Sequence, residues 1–220
     1  MIQLHFAAGA CSFVPHVGLE VIRATTGAEF EPKFVKLHKG EQKTPEYLAM
    51  NPDGQVPVLV VDGKVLTQIV AICDYLDRST PQAGLLPADS WERAQAMSRL
   101  AWMNNTVHPT FTHIYMPYVF SGDEAAFDEM RRFNTERYRG FLGRIQGWLD
   151  GADRFMLGDR LSFLDAYALT LLRWGGLSGI DPDDFPAYKA YVDRVASAPP
   201  VAAALERERI PVHAFRKQAA

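Results

Sequence analysis

The sequence predicts a small α/β domain followed by an all-helical domain. Three observations lead to this fold class. The first eighty residues alternate between short strand-like and helix-like segments, Asp62-Gly63 is a strong hairpin turn between two apolar runs, and the chain beyond residue 87 has helical periodicity. A length of 220 residues, with 48% hydrophobic and 22% charged residues, fits an ordinary globular protein of this size.

The first half of the chain is predicted to follow the order β-α-β, loop, β-β-α. The hairpin after the second crossover reverses one strand, so we expect a mixed four-stranded sheet. A proline near the start of the first helix is tolerated because the first-turn N–H groups have no intrahelical partner. The predicted strands cover residues 2–6, 29–37, 58–61 and 64–66, and the predicted helices cover residues 12–22 and 70–76.

The second half is predicted to be entirely helical. One long helix should kink at His108-Pro109, and the nearly all-apolar helix after Ser162 should be buried on every side. Ser162 and Asp165 have capping-box spacing, a folding feature that stabilises a helix by roughly 1 kcal/mol. The predicted helices cover residues 89–120, 123–149, 162–174, 186–198 and 201–207, and the predicted domains are 1–80 and 88–220, joined by a linker at 81–87.

Charge and cysteine content narrow the classes of function. Lysine and arginine total 23 against 26 acidic residues, so the net charge of −3 provides no strong positive field for nucleic acid or an anionic membrane. Cys11 and Cys73 are the only cysteines, which favours a reducing compartment, and Cys73 is expected in the core. No signal peptide or apolar run of about 18 residues is present. We therefore expect a cytoplasmic protein, without a zinc-type Cys/His cluster.

Pro57 opens the third predicted strand behind the turn at residues 51–56. A proline at the start of an internal strand is a candidate cis peptide, although an ordinary loop explains the pattern equally well. A cis Val56-Pro57 bond would leave the backbone N–H and C=O of Val56 free as a pair. Such a pair can dock an extended peptide as an added strand.

Cys11 lies in the small-residue loop 9–12 between the first strand and the first helix. A cysteine at a helix N-terminus experiences the positive end of the helix dipole, which lowers the thiol pKa. Cys11 is therefore a candidate nucleophile, or a hydrogen-bond donor to another thiolate. An inert thiol in a small loop is the alternative.

Gln68 precedes Ile69 at the predicted start of the last helix of the first domain. Free backbone N–H groups at such a start bind a carboxylate, and the Gln68 amide can contact an ammonium or carboxylate group. A solvated first turn explains the same residues without a ligand.

Three segments resemble the cytosolic glutathione S-transferases. Residues 51–76, NPDGQVPVLVVDGKVLTQIVAICDYL, are similar to the family's Pro-x-Gly-x-Val-Pro turn, hairpin and helix start, and residues 158–174 resemble its Gly-x-x-x-(Ser/Thr)-x-x-Asp segment. The GACS loop is similar to the bacterial beta class. The resemblance covers nearly the whole chain in order. It implies an α/β thioredoxin-like N-terminal domain, an all-α C-terminal domain, a homodimer, and glutathione as co-substrate.

The resemblance also implies roles for individual residues. Cys11 falls on the beta-class cysteine, and His108 matches the histidine facing the ligand thiol. The substrate-binding positions are Val56 with Pro57 for the cysteinyl group, Gln68 with Ile69 for the γ-glutamyl end, and Lys39 for the glycyl carboxylate.

Two departures from the family pattern weaken the case for tight glutathione binding. Phe6 stands where many relatives have tyrosine, and Ile69 stands where the family has serine. A lost hydrogen bond to a charged group costs about 1.5–3 kcal/mol. Three hypotheses about the function follow: a transferase acting on a hydrophobic electrophile, a glutathione-dependent isomerase, or a weakly catalytic or non-catalytic binding protein. The candidate electrophile site is lined by Trp102, Met103, Phe111, Tyr115, Met116 and Tyr118.

Overall fold

The structure, a computed structural model, describes residues 1–215. Its N-terminal half contains a four-stranded sheet of order β2-β1-β3-β4, in which β1 and β2 are parallel and the other neighbours are antiparallel. The predicted mixed sheet is therefore confirmed. The elements are β1 (Ile2–Phe6), α1 (Phe13–Thr26), β2 (Phe30–Phe34), α2 (Pro45–Met50), β3 (Val58–Val61), β4 (Lys64–Thr67) and α3 (Ile69–Ser79).

Alternating side chains divide this sheet between two apolar clusters. Leu4 and Leu59 lie directly opposite each other on β1 and β3 and join the main core with residues of α1 and α3. Val58 points to the other face and packs with Val35 and Tyr47. Both faces of the sheet are thus covered.

The second strand is shorter than predicted. It ends at Phe34 instead of residue 37 because the chain turns into a short 3₁₀ helix at Leu37–Lys39. The Lys36 N–H donates to the Glu41 side chain at 2.7 Å, which satisfies this backbone group away from the sheet.

The C-terminal half is helical throughout its regular elements, as the sequence predicts. The most buried helix is α7, in which thirteen of fifteen residues are buried. Its Tyr167 is fully buried, as are Tyr138 on α6 and Tyr188 on α8. The helices are α4 (Ser90–Trp102), α5 (His108–Tyr115), α6 (Phe127–Leu149), α7 (Phe163–Leu177), α8 (Pro186–Ala196) and α9 (Pro199–Glu208).

The helix predicted for residues 89–120 is helical without a break from Ser90 to Tyr115 and ends earlier than predicted. A π-helical segment at Met103–Val107 separates α4 from α5, and α5 ends at Tyr115. Pro109 is the second residue of α5 and follows the π-helical segment directly, so the irregularity lies on the N-terminal side of the predicted kink.

The capping box of α7 is confirmed. Oδ2 of Asp165 accepts from both the N–H and the hydroxyl of Ser162 at 2.6 Å, and Oδ1 accepts from the Met156 N–H at 2.8 Å. The Tyr191 hydroxyl also donates to this carboxylate. One buried side chain therefore fixes the start of the central helix.

The two halves meet where α1 lies against α7 and α9. Gly18 on α1 permits this approach, because a Cβ there would lie 2.3 Å from a ring carbon of Phe163. The domain boundaries at 1–80, 81–87 and 88–220 stay a prediction, and the last five residues of the third range lie outside the described residues. Within residues 1–215, no helix is long and apolar enough to cross a membrane.

Candidate active site

The loop that carries Cys11 is closed by the side chain of Ser12. The Ser12 hydroxyl accepts from the Ala7 N–H at 3.1 Å and donates to the Ala7 carbonyl at 3.2 Å. Its single proton is therefore engaged in the loop itself. Ser12 is fully buried, so its hydroxyl serves the structure and does not face a ligand.

Cys11 lies in this loop two residues before α1, and its thiol donates to the carbonyl oxygen of Val56 at 3.5 Å. The side chain is only 8% exposed. Burial raises the thiol pKa to about 12, outweighing the backbone hydrogen bonds from Cys11 and Ser12 that lower it. The predicted lowering of the Cys11 pKa is wrong, because removal from water exceeds the effect of the helix terminus.

Cys73 is fully buried on α3, as expected for a core residue. Desolvation raises its pKa well above the ordinary value. Both cysteines are free thiols.

The Val56-Pro57 peptide bond is cis, as the sequence suggested. The preceding carbonyl of Gln55 accepts 2.8 Å hydrogen bonds from the Tyr47 hydroxyl and the Asn51 amide. These two hydrogen bonds stabilise the turn that precedes β3. The Val56 carbonyl is not free, however, since it accepts a hydrogen bond from the Cys11 thiol. Of the two backbone groups of Val56, the N–H is the one without a partner among the described residues.

The N-terminus of α3 is open. Gln68 precedes the helix with φ 71° and ψ 121°, a backbone conformation that is strained for any residue except glycine. Its side chain is exposed and makes no capping hydrogen bond to the helix. The Ile69 side chain is 4% exposed and belongs to the core, so this position offers a ligand only its backbone N–H.

Lys39 is the last residue of the 3₁₀ helix that follows β2, and its side chain is exposed. Among the described residues its ammonium group has no ion-pair partner within 4 Å. It is therefore available to a carboxylate ligand. Its predicted role remains a prediction.

His108 begins α5 and is held on two sides. Its Nδ1 lies 3.1 Å from the Tyr167 hydroxyl, and its ring packs against Trp174 with centroids 4.7 Å apart. Burial lowers the His108 pKa to about 4. The imidazole is consequently neutral at physiological pH.

Two residues that the sequence analysis missed connect the Cys11 loop to the helical half. The Trp174 indole N–H donates to the Gly9 carbonyl at 2.9 Å, and the Glu208 carboxylate accepts from the Gly9 N–H at 2.8 Å. Trp174 also packs against His108. Because Trp174 lies in the apolar helix α7 and Glu208 is the last residue of the short helix α9, neither had a local pattern that distinguished it from packing.

Phe6, which carries no hydroxyl, is a core residue. Its ring packs against His16 and Phe34, with centroid distances of 5.1 and 5.6 Å. No tyrosine hydroxyl can act from this position.

The predicted electrophile-binding residues divide into three groups. Met103 and Phe111 are buried, and Phe111 stacks on Trp174 at 4.5 Å. Trp102 packs with Phe141 and Trp148 in an aromatic cluster on α4 and α6. The remaining residues, Tyr115, Met116 and Tyr118, retain accessible surface near the end of α5.

Family models match both halves of the chain. Residues 10–78 match the N-terminal domain of glutathione S-transferases, and residues 103–199 match the C-terminal domain. Among curated relatives, a glutathione S-transferase from Xanthomonas campestris is 31% identical over 94% of this chain and 98% of its own length. A maleylacetoacetate isomerase from Pseudomonas aeruginosa is 28% identical over 82% of this chain and 86% of its own.

Solved structures give the same relationship. A glutathione transferase homologue from Sulfitobacter with bound glutathione superposes with a TM-score of 0.86 at 25% identity, covering 94% of this chain and 98% of that one. A bacterial beta-class glutathione S-transferase from Sphingomonas chungbukensis has a TM-score of 0.81 at 31% identity, covering 95% of this chain and 100% of that one. The fold, the order of the motifs and both family models agree, and the chain belongs to the glutathione S-transferase family.

Proposed function

We propose that the protein is a glutathione transferase that joins the thiol of glutathione to a hydrophobic electrophile. The observation that carries the proposal is the position of Cys11 against Val56 in a beta-class-like fold. This pair brings a thiol and an open backbone N–H together at the edge of the sheet. A cysteinyl peptide can dock there by its own backbone.

The contacts of glutathione follow from the groups left open. The cysteinyl backbone pairs with Val56, and the γ-glutamyl carboxylate lies at the N-terminus of α3, where free N–H groups and the helix dipole favour an anion. Gln68 contacts the same end of the ligand. Lys39 carries the unpaired ammonium group for the glycyl carboxylate.

The raised pKa of Cys11 assigns it a donor role. A thiol with a pKa of about 12 keeps its proton at neutral pH, so Cys11 can donate S–H to the glutathione thiolate. The glutathione thiol gives its proton to water, its sulfur forms a bond to the electrophilic carbon, and the leaving group departs with the electron pair of the broken bond. Exposed Tyr115 and Tyr118 offer aromatic surface to the electrophile.

Calorimetric titration with glutathione tests the proposal, followed by conjugation to 1-chloro-2,4-dinitrobenzene as a generic electrophile. We expect saturable heat and conjugation above the uncatalysed rate. Cys11→Ala should retain binding within roughly tenfold and lose most of the rate, because only a hydrogen bond to the thiolate is removed. Cys73→Ala is the matched control. Absence of heat and of a thermal shift at millimolar glutathione would contradict the proposal.

Two alternatives are each favoured by one observation. Similarity to a maleylacetoacetate isomerase favours glutathione-dependent isomerisation, which would show as turnover of a cis-olefinic diketo acid without consumption of glutathione. Phe6 and Ile69 are core residues without a hydroxyl, where the family pattern has tyrosine and serine. The site therefore lacks two hydroxyl groups, which favours a binding protein with little catalysis. Binding of glutathione without conjugation or isomerisation would support that second alternative.

Family membership also supports a homodimer, a cytoplasmic location and a role in detoxification. Val65 on β4, Tyr75 on α3 and Trp91 on α4 are large apolar side chains exposed in the single chain. We propose that the N-terminal domain of one copy, which carries Val65 and Tyr75, faces the helices of the other copy, which carry Trp91. Sedimentation at micromolar concentration tests this, and a stable monomer would contradict it.

A further inference from the structure

We propose that Tyr167 and Asn104 are positioning residues that hold His108 in a single tautomer, with the proton on Nδ1 and an acceptor lone pair on Nε2. The inference rests on the proposed function, because His108 would accept a hydrogen bond from the thiol of bound glutathione or from a water molecule beside that thiol. Neither Tyr167 nor Asn104 contacts the ligand in this proposal.

The direction of each hydrogen bond follows from the orientation of the Asn104 amide, which has Nδ2 toward Asn105 and Oδ1 toward Tyr167. The Asn104 amide nitrogen donates to the Asn105 side-chain oxygen at 2.8 Å, so Oδ1 of Asn104 is left as an acceptor. The Tyr167 hydroxyl donates its only proton to that oxygen at 3.2 Å. The hydroxyl oxygen must then accept from His108, 3.1 Å away, which places the imidazole proton on Nδ1.

The local backbone explains how Asn104 and His108 reach one hydroxyl. Both lie at the π-helical segment Met103–Val107, four residues apart, and the His108 N–H closes this segment by bonding to the Met103 carbonyl. Such wide helical turns occur frequently at functional sites. Tyr167 is fully buried on α7, which makes an unsatisfied hydroxyl there costly.

The ring nitrogen Nε2 of His108 is the atom that would accept the hydrogen bond. Within residues 1–215, Nε2 of His108 has no hydrogen-bond partner, whereas Nδ1 is engaged. The ring is also connected to the Cys11 loop, because it packs against Trp174, whose indole N–H donates to the Gly9 carbonyl. His108 is therefore connected to the Cys11 loop through Trp174, and its Nε2 remains available as a hydrogen-bond acceptor.

A tautomer measurement tests the inference independently of activity. Nitrogen-15 NMR of the histidine rings, with the His108 signal assigned through His108→Gln, should give an Nδ1–H imidazole in the wild-type protein. Asn104→Ala frees the Tyr167 proton to point at His108, so the proton should move to Nε2 in that variant. Asn134→Ala is the matched control, because that amide donates to the Met130 carbonyl outside this network, and it should leave the tautomer unchanged. An Nε2–H imidazole in the wild type would overturn the proposal.

Kinetics separate this inference from the proposed function. With glutathione and 1-chloro-2,4-dinitrobenzene, Asn104→Ala and Tyr167→Phe should each lower kcat roughly tenfold or more while KM for glutathione changes less than twofold. His108→Gln should lower kcat at least as much. Circular dichroism and thermal melting verify that each variant is folded.

The pattern of failure identifies which idea is wrong. If the wild type binds no glutathione, the proposed function fails while the tautomer result still stands or falls alone. If His108→Gln is impaired but Tyr167→Phe and Asn104→Ala are as active as the wild type, the positioning role fails and the proposed function survives. Equal losses in Asn104→Ala and Asn134→Ala would also overturn the positioning role.

Discussion

The thiol of Cys11 donates a hydrogen bond to the carbonyl oxygen of Val56, 3.5 Å away, although the two residues are 45 positions apart in sequence. The bond joins the loop after β1 to the loop before β3. Glutathione docked on the Val56 backbone would compete for the same carbonyl. Binding of the ligand and release of the Cys11 thiol are therefore coupled in the proposed mechanism.

The first prediction concerns the reactivity of the two cysteines. With a pKa of about 12, only about one Cys11 thiol in 10⁴ is a thiolate at pH 8, so iodoacetamide should modify it far more slowly than free glutathione. The rate should rise about tenfold per pH unit while the fold persists. Cys73 should react more slowly still, because its side chain is fully buried. Peptide mass spectrometry after timed alkylation measures both rates.

Bound glutathione should protect Cys11 and leave Cys73 unaffected, and Cys11→Ser identifies the Cys11 peptide. A Cys73 rate equal to or above that of Cys11 in the native protein would contradict the placement of the two thiols.

The second prediction compares two residues of the turn before β3. Val56→Ala keeps the docking backbone, so glutathione affinity should stay within about threefold. Asn51→Ala removes a 2.8 Å hydrogen bond to the Gln55 carbonyl and a 3.2 Å bond from the Asp53 N–H, and it should lower the free energy of unfolding by about 1–3 kcal/mol. We expect Asn51→Ala to weaken glutathione binding roughly tenfold because the turn loosens. Calorimetry that ranks the two variants in the opposite order would show that the Val56 side chain binds the ligand.

The third prediction uses the strained backbone of Gln68. Relief of a positive-φ conformation is worth about 1–3 kcal/mol, whereas a glycine costs about 0.5–1 kcal/mol in chain entropy. Gln68→Gly should therefore raise the free energy of unfolding by about 1 kcal/mol, and Gln68→Ala should leave it nearly unchanged. Both variants should bind glutathione more weakly because both lack the amide. Urea denaturation with a stability loss in Gln68→Gly would contradict the strain.

Features that depend on neighbouring residues in sequence were predicted correctly. The Asp62-Gly63 hairpin, the Ser162–Asp165 capping box and the cis bond at Pro57 each require only a short segment. The apolar run of α7 likewise indicated burial on all sides, because hydrophobicity without periodicity is typical of a central helix.

Features that depend on packing between distant segments were not predicted. The sequence places Cys11 near a helix N-terminus, but only the folded chain shows that the Val56 turn removes its thiol from water. The π-helical segment before His108 has no local sequence pattern either. The contact that involves this segment, between the His108 ring and the Tyr167 hydroxyl, joins residues that are 59 positions apart in sequence.

The last prediction concerns the dependence of stability on pH. The folded-state pKa of His108 is about 4, below the ordinary value of 6.5, so the unfolded chain binds more protons between these values. Stability should therefore fall as pH decreases through this window. The loss from His108 alone should be about 2 kcal/mol between pH 7.5 and pH 5, because the unfolded state is then mostly protonated at this position and the folded state is not.

His108→Gln isolates this contribution, since glutamine does not titrate and the other groups of the protein are unchanged. Urea denaturation of both proteins at pH 7.5 and pH 5 gives the four free energies needed. The wild type should lose about 2 kcal/mol more than the variant on acidification. Equal losses would mean that His108 titrates near pH 6.5 in the folded protein. In that case the ring would be solvated, and its burial between Tyr167 and Trp174 would be wrong.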